Sequence, residues 1–245
     1  MKSDKLYRVQ REDLPKLEQL LYRCFAHDPL YETLIPDAEI RKRLMPELFQ
    51  CDMDEFYETC EIFADSEELN SILVVSDEAE HINMFHFFLT ESWATIHTDA
   101  FLIKEDPTLA TFHNFIKGGD YLNSSWTDQL HQTQRLHIIY LAVDPEMQHH
   151  GIAAKLLDET IAYAQEHHMM ISLETHNEKN VDFDLVSEVG EKYKDKFARA
   201  RILDFSYNSC IGKNLCKLAL LKKNEDYDLY KLVPFLPQTI LPNCA

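Results

Sequence analysis

The stretch Asp144-Pro145-Glu146-Met147-Gln148-His149-His150-Gly151-Ile152-Ala153 has the residue types best suited in this chain to holding a charged ligand. It follows a nearly continuous apolar run, Leu136 to Val143, of the kind that forms a strand covered on both faces. It precedes Leu156, Leu157, Thr160, Ile161 and Ala164, which recur with Ala153 at helical spacing and predict a helix over Gly151 to His168. A second buried strand, Met169 to Leu173, completes a strand, loop, helix, strand unit. A helix start presents unpaired backbone N–H groups and the positive end of the helix dipole, both of which suit a pyrophosphate. The phosphate must approach that backbone closely, so a residue without Cβ is wanted there and a small one beside it. Gly151 and Ala153 meet those needs, and the chain has only 5 glycines to place. A glycine at a helix start is also a routine capping or packing device, so the residues alone leave both readings open.

The elements around this unit follow from periodicity. Leu6 to Gln10 reads as a first strand, and Pro15 near the start of the next segment opens a helix carrying Leu17, Leu20, Leu21, Cys24 and Phe25 on one face. Asp28-Pro29 should end it. Ala38 to Tyr57 reads as a second helix, with Ile40, Leu44, Met45 and Leu48 as its apolar stripe. Cys60 to Ala64 and Leu69 to Val75 form a predicted hairpin around the acidic turn Asp65-Ser66-Glu67-Glu68. His81 to Leu89 reads as a further strand or an irregular piece, and Ser92 to Gln134 as helices and loops. Val181 to Phe197 reads as a helix with a break near Gly190. Arg201 to Tyr207 and Leu215 to Leu221 read as closing strands joined by a turn at Gly212. The expected organisation is one α/β domain over residues 1–223, with 77–134 a mostly helical insertion and 224–245 an irregular tail.

Composition narrows the function classes. A chain of 245 residues that is 45% hydrophobic can build one large core. The formal charge of −18 argues against nucleic acid, whose phosphates demand a basic face. No Lys or Arg occurs from Leu44 to Ile103, where acids recur throughout. A solvated acidic face is the ordinary reading of such a run, and attraction of a cationic amine the sharper one. No apolar run is long enough for a membrane span and no cleavable leader pattern is present, so a cytoplasmic protein with no membrane partner is expected. The 6 scattered cysteines read as reduced thiols. The 12 histidines lack metal-ligand spacing, so no metal is expected. The absence of GxSxG and of GxxxxGK[ST] disfavours a serine hydrolase and a P-loop kinase.

Leu136 to Leu157, LHIIYLAVDPEMQHHGIAAKLL, resembles the acetyl-CoA-binding core of the GNAT N-acetyltransferases. Their motif Q/R-x-x-G-x-G/A follows a strand ending in an L-x-V-x-P-like sequence, and Gln148, His149, His150, Gly151, Ile152 and Ala153 fill it in order. Glu61 to Ser76 is similar to the family's strand, acidic turn, strand hairpin. Leu173-Glu174-Thr175 followed by Asn180-Val181 is similar to its fifth strand and next helix. The likeness extends over residues 5 to 190.

The resemblance implies a GNAT acyl-CoA N-acyltransferase fold, α/β (α+β) with a mixed central sheet flanked by helices. It implies an enzyme that moves the acetyl group of acetyl-CoA, as co-substrate, directly to a primary amine. The backbone of Leu141, Ala142 and Val143 would pair with the pantetheine arm, and N–H groups from His149 to Ala153 would hold the pyrophosphate. Asn180 would lie near the thioester, and the Val143 N–H would stabilise the oxyanion. The sequence departs from the family at Asp184, which occupies the position of the Tyr that protonates the leaving thiolate. Tyr193 or Tyr207 is then the substitute acid, or the step uses none. A non-catalytic acyl-CoA-binding protein is the alternative reading. For the base, the chain offers His137 and Tyr140 on one strand and Glu174 at the end of the next, with a water relay as a sufficient alternative. The acceptor is expected to be a small-molecule amine, and a homodimer is left open.

Overall fold

The computed structural model describes residues 1–77, 84–122 and 134–175 and the strands Phe197–Asn208 and Lys213–Lys222; those two strands and residues 119–122 and 174–175 are described by backbone alone. Strands β1 (Tyr7–Arg8), β2 (Glu61–Ala64), β3 (Ser71–Asp77), β4 (Arg135–Val143), β5 (Met170–Thr175), β6 (Phe197–Asn208) and β7 (Lys213–Lys222) make one mixed sheet. Their order is β1-β2-β3-β4-β5-β7-β6. Every pairing is antiparallel except that of β4 with β5. Those two parallel strands are joined by α6 (Ile152–Glu166), the crossover helix that a parallel pair requires.

Helices α1 (Leu14–Phe25), α2 (Pro29–Leu34), α3 (Ala38–Thr59), α4 (Met84–Glu105) and α5 (Ala110–Leu122) complete the fold. The expected stop at Asp28-Pro29 ends α1 and also starts α2, because the Asp28 carboxylate caps the Leu30 N–H at 2.9 Å with Pro29 in the first turn. Asp37 caps α3 in the same way, accepting from the N–H groups of Glu39 and Ile40. Helix α3 runs through Pro46, which is exposed, so the carbonyl that loses its partner there faces water.

The sheet separates two cores. On one face Leu156, Leu157, Ile161 and Ala164 of α6 pack against Leu73, Val75, Leu136, Ile138 and Ile171. On the other, Leu17, Leu20 and Leu21 of α1 and Leu44, Met45, Leu48 and Phe49 of α3 pack against Ile62, Ile72, Val74 and Ala142. These are the stripes that helical spacing picked out.

One expectation changes. His81 to Leu89 is no strand where it is described: Met84 to Leu89 form the first turns of α4, a long helix whose cooperativity outweighs the β preference of its phenylalanines. Met84, Phe85, Phe88, Trp93 and Ile96 of that helix are exposed. The predicted helix over Val181 to Phe197 lies outside the described residues except for Phe197, which begins β6, and so do the turn at Gly212 and the tail from Asn224. Leu73, fully buried opposite Leu141 on β4, tests the α6-side core. Leu73→Ala is expected to lower unfolding stability by about 2–5 kcal/mol, read from urea denaturation monitored by circular dichroism.

Candidate active site

The sheet opens beside the loop that runs from Asp144 to Gly151. Parallel pairing runs from Arg135↔Met170 to Ile138↔Leu173 and goes no further. Beyond that point β4 keeps pairing with β3, ending at Val143↔Ser71, while Glu174 and Thr175 of β5 pair with Lys217 and Cys216 of β7. The strands splay, and the edge of β4 from Ile139 to Val143 has no strand on its β5 side among the described residues. Leu141, Ala142 and Val143 lie on that edge. An unpaired strand edge is a ready template for an extended amide-bearing chain, and the pantetheine arm is one.

A bulge starts the opening. Val74 is paired with Tyr140 and Val75 with Ile138, so Ile139 is an extra residue on β4. Alternation is thereby reset: Leu136 and Ile138 face α6, Ile139 and Tyr140 both face α1 and α3, and Leu141 returns to the α6 side. The bulge aims Tyr140 into the helical layer.

The loop after β4 is held by its own side chains. Asp144 caps a single 3-10 turn, Pro145–Met147, through the Glu146 N–H at 3.0 Å and pairs with Arg23 of α1; these contacts keep its carboxyl below the usual range. Gln148 Nε2 donates to the Val143 carbonyl at 3.2 Å, and His150 Nδ1 lies 2.8 Å from the Gln148 carbonyl oxygen. Gly151 then takes φ 78° as the residue that caps α6, and no side chain caps the helix. His149 also has positive φ, 64°. A left-handed residue favours glycine, so the conformation accounts for Gly151; a Cβ there would meet nothing within 4 Å. The outcome is an uncapped helix start, exposed at Gly151 and half-buried at Ile152 and Ala153, the arrangement that accepts an anion. Lys155 is engaged elsewhere, with the Asp65 carbonyl at 2.8 Å. The open β4 edge and the uncapped helix lie at the two ends of one loop and together fit an acyl-CoA.

Of the sequence candidates for proton transfer, Tyr140 stands in the most developed setting. Its hydroxyl donates to the Asp52 carboxylate of α3 at 2.6 Å and lies 3.5 Å from the Tyr31 hydroxyl. Its ring touches those of Phe25, Phe49 and Phe56 at centroid distances of 5.7, 6.2 and 5.9 Å. Burial among these rings, with Asp52 beside it, holds the Tyr140 hydroxyl well above its usual value, so it keeps its proton. Burial pushes Asp52 up to about 6, against the opposing effect of the Tyr140 hydrogen bond. Glu55, one turn along α3, is pushed up to about 7 by burial and then by Asp52 and Glu91.

His137 lies elsewhere, in the paired half of β4. Its Nδ1 is 2.9 Å from the Ser172 hydroxyl, and burial aided by Arg135 lowers it to about 4, so it is neutral at physiological pH. Glu174 sits on β5 past the point where β4 and β5 part. Asn180, Asp184 and Tyr193 lie outside the described residues, and Tyr207 is described by backbone alone. Asp52, Glu55 and Tyr31 are the residues that the sequence reading missed. The signal for Asp52 was present, since it interrupts the apolar stripe Leu48, Phe49, Met53, Phe56 of α3. Among the described residues no group of His, Cys, Asp and Glu could hold a metal ion, and no helix is long and apolar enough to cross a membrane.

This chain belongs to the acetyltransferase (GNAT) family, which matches residues 39–183, more than half its length. A solved structure described as histone acetyltransferase HPA2 and related acetyltransferase, from Corynebacterium glutamicum, is similar at 14% identity and a TM-score of 0.54, covering 90% of this chain and 97% of that one. The fold is therefore the family's. The ribosomal-protein-S18-alanine N-acetyltransferase of Escherichia coli is similar at 12% identity and TM-score 0.43, covering 92% of this chain and 97% of that one. PaiA N-acetyltransferase of Thermoplasma acidophilum, solved with coenzyme A, is similar at 11% identity and TM-score 0.44, covering 90% and 99%. No curated protein matches the chain.

The buried carboxyl makes a testable statement about stability. Asp52 holds its proton more tightly folded than unfolded, so its contribution is fully present below its unfolded value near 4 and is lost as pH rises through about 6. Glu55 acts in the same sense. The Tm of the wild type is expected to fall between pH 5 and pH 8, and to fall less in Asp52→Asn. Parallel curves for the two proteins in differential scanning calorimetry would show that Asp52 is not desolvated.

Proposed function

We propose that this chain is an acetyl-CoA-dependent N-acetyltransferase of the cytoplasm that acylates the primary amine of a small, cationic molecule. The observation that carries the reading is the splay of β4 from β5 next to the uncapped start of α6. In this reading Leu141, Ala142 and Val143 receive the pantetheine amides, and the N–H groups from His149 to Ala153 receive the pyrophosphate. Gln148 and His150 keep that loop in shape, and Asn180 reaches toward the thioester. The Val143 N–H supports the oxyanion formed when the amine attacks the thioester carbonyl. Acetyl-CoA supplies the activated acyl group.

The amine arrives as an ammonium ion and must lose a proton before it attacks. In the proposed relay Tyr140 accepts that proton while passing its own to Asp52, whose raised affinity for protons suits it to receive one near neutral pH. His137 and Glu174 are the other candidates that the sequence offered. The hydrogen-bonded Tyr140–Asp52 pair favours Tyr140 over His137, which is engaged with Ser172. We assign residues 1–223 to one domain, with 77–134 as the insertion that shapes the acceptor side. Asp184 at the usual place of the thiolate-protonating Tyr supports a second reading, an acyl-CoA-binding protein without turnover.

Calorimetric titration with acetyl-CoA separates these readings. Wild type is expected to bind in the micromolar range and Gly151→Ala to retain measurable binding. Gly151→Glu is expected to lose it, because both variants strain the left-handed backbone but only Glu places a negative charge at the pyrophosphate. Failure of folded wild type to bind sinks the proposal. Binding without thiol release in the presence of any of a panel of primary amines favours the non-catalytic reading.

A further inference from the structure

A cavity of about 700 Å³ lies between α3 and α4, outside the acyl-CoA groove. That volume suits a small organic molecule. Its α3 wall carries Asp54, Glu55 and Glu58, and its α4 wall carries Trp93, His97 and Phe101. The Trp93 and His97 rings are 4.2 Å apart, and His97 meets Phe101 edge-on at 6.3 Å. One side of the cavity is anionic and the other aromatic.

The charges are compensated unevenly. Arg11 bonds Glu58 and lies 3.9 Å from Asp54, and His86 lies 3.5 Å from Glu58. The Glu55 carboxylate has neither a hydrogen bond nor an ion pair among the described residues. Glu55 is half-buried, and desolvation, followed by repulsion from Asp52 and Glu91, pushes its carboxyl up to about 7. A cation placed against Glu55 would relieve the repulsion and supply the partner that burial demands. Trp93 offers a ring face for the same cation. The rings favour an organic cation over a metal ion, for which no group of three ligating side chains exists among the described residues.

We propose that this cavity seats the second ammonium group of a short diamine acceptor, with Glu55 as its counter-ion and the Trp93 ring as its opposite wall. The proposal rests on the amine acetyltransferase reading and names the substrate class within it. Glu55 and Asp52 are three residues apart on one helix, so their Cβ atoms are roughly 5–6 Å apart. In this assignment the nitrogen to be acetylated lies on the Asp52 side of Glu55, a few methylene groups from the second ammonium.

Acetylation of putrescine and of n-butylamine, followed by thiol release at saturating acetyl-CoA, tests the assignment. Wild type is expected to favour putrescine by about tenfold or more in kcat/KM, and Glu55→Gln to bring the ratio close to one, chiefly through the KM for putrescine. Equal use of the two amines by wild type, or a preference that survives Glu55→Gln, overturns the proposal and leaves the acetyltransferase reading standing. Calorimetric titration with putrescine alone reads the cavity without turnover. Binding weakened about tenfold or more by Glu55→Gln and by Trp93→Ala supports the cation seat even in a chain that binds no acetyl-CoA. Absent binding, or binding that neither substitution changes, overturns it.

Discussion

The interruption of one parallel ladder governs this structure. β4 and β5 share hydrogen bonds from Arg135 to Ile138 and then part, which leaves backbone polar groups in mid-sheet that a closed sheet would have satisfied. Such an opening persists only if each strand is fixed from its other side. β3 holds β4 to its last residue, and β7 holds β5. The end of β4 is tied further by Cys24 Sγ on the Val143 carbonyl oxygen, by Gln148 on the same oxygen, and by Arg23 on Asp144. The extra residue at Ile139 converts the break into an asset, because it turns Tyr140 toward the helices where the strand loses its neighbour.

The helical layer above that break is electrostatically unsettled. Most of the acidic groups that crowd α3 are exposed and solvated, or paired as Glu47 is with Lys104 and Glu58 with Arg11. Asp52 and Glu55 are the exceptions, since desolvation rather than pairing sets their proton affinity. Rings close round Asp52 through Tyr140, whereas Glu55 opens to the α3–α4 cavity. Two carboxyls one turn apart thus sit in different surroundings, and proton affinity near neutrality follows from those surroundings rather than from residue type.

The α6 unit was legible in the sequence because its signals are local. A continuous apolar run marks β4, a single glycine marks the loop, and helical spacing marks α6, each within a few residues. The stripes of α1 and α3 and the β2–β3 hairpin could be read for the same reason. The splay could not, since it depends on which strand stops pairing where, and neither β4 nor β5 contains a breaker at that point. Asp52 was missed because its meaning comes from Tyr140, 88 residues away in sequence. The start of α4 was misread because Phe85 and Phe88 score alike for strands and for helices that show an apolar face.

That exposed face has a consequence for how copies of the chain behave toward one another. Met84, Phe85, Phe88, Trp93 and Ile96 are 73, 71, 62, 64 and 62% exposed, apolar side chains spread over about half of the helix circumference, and apolar surface of that kind draws molecules together. The opposing influence is the formal charge of −18, which repels one copy from the next. Repulsion of that kind reaches far in dilute buffer but only about 10 Å at 0.1 M salt, while apolar attraction persists. The balance between the two therefore shifts with ionic strength, because salt shortens the reach of the repulsion and leaves the apolar side chains as they were.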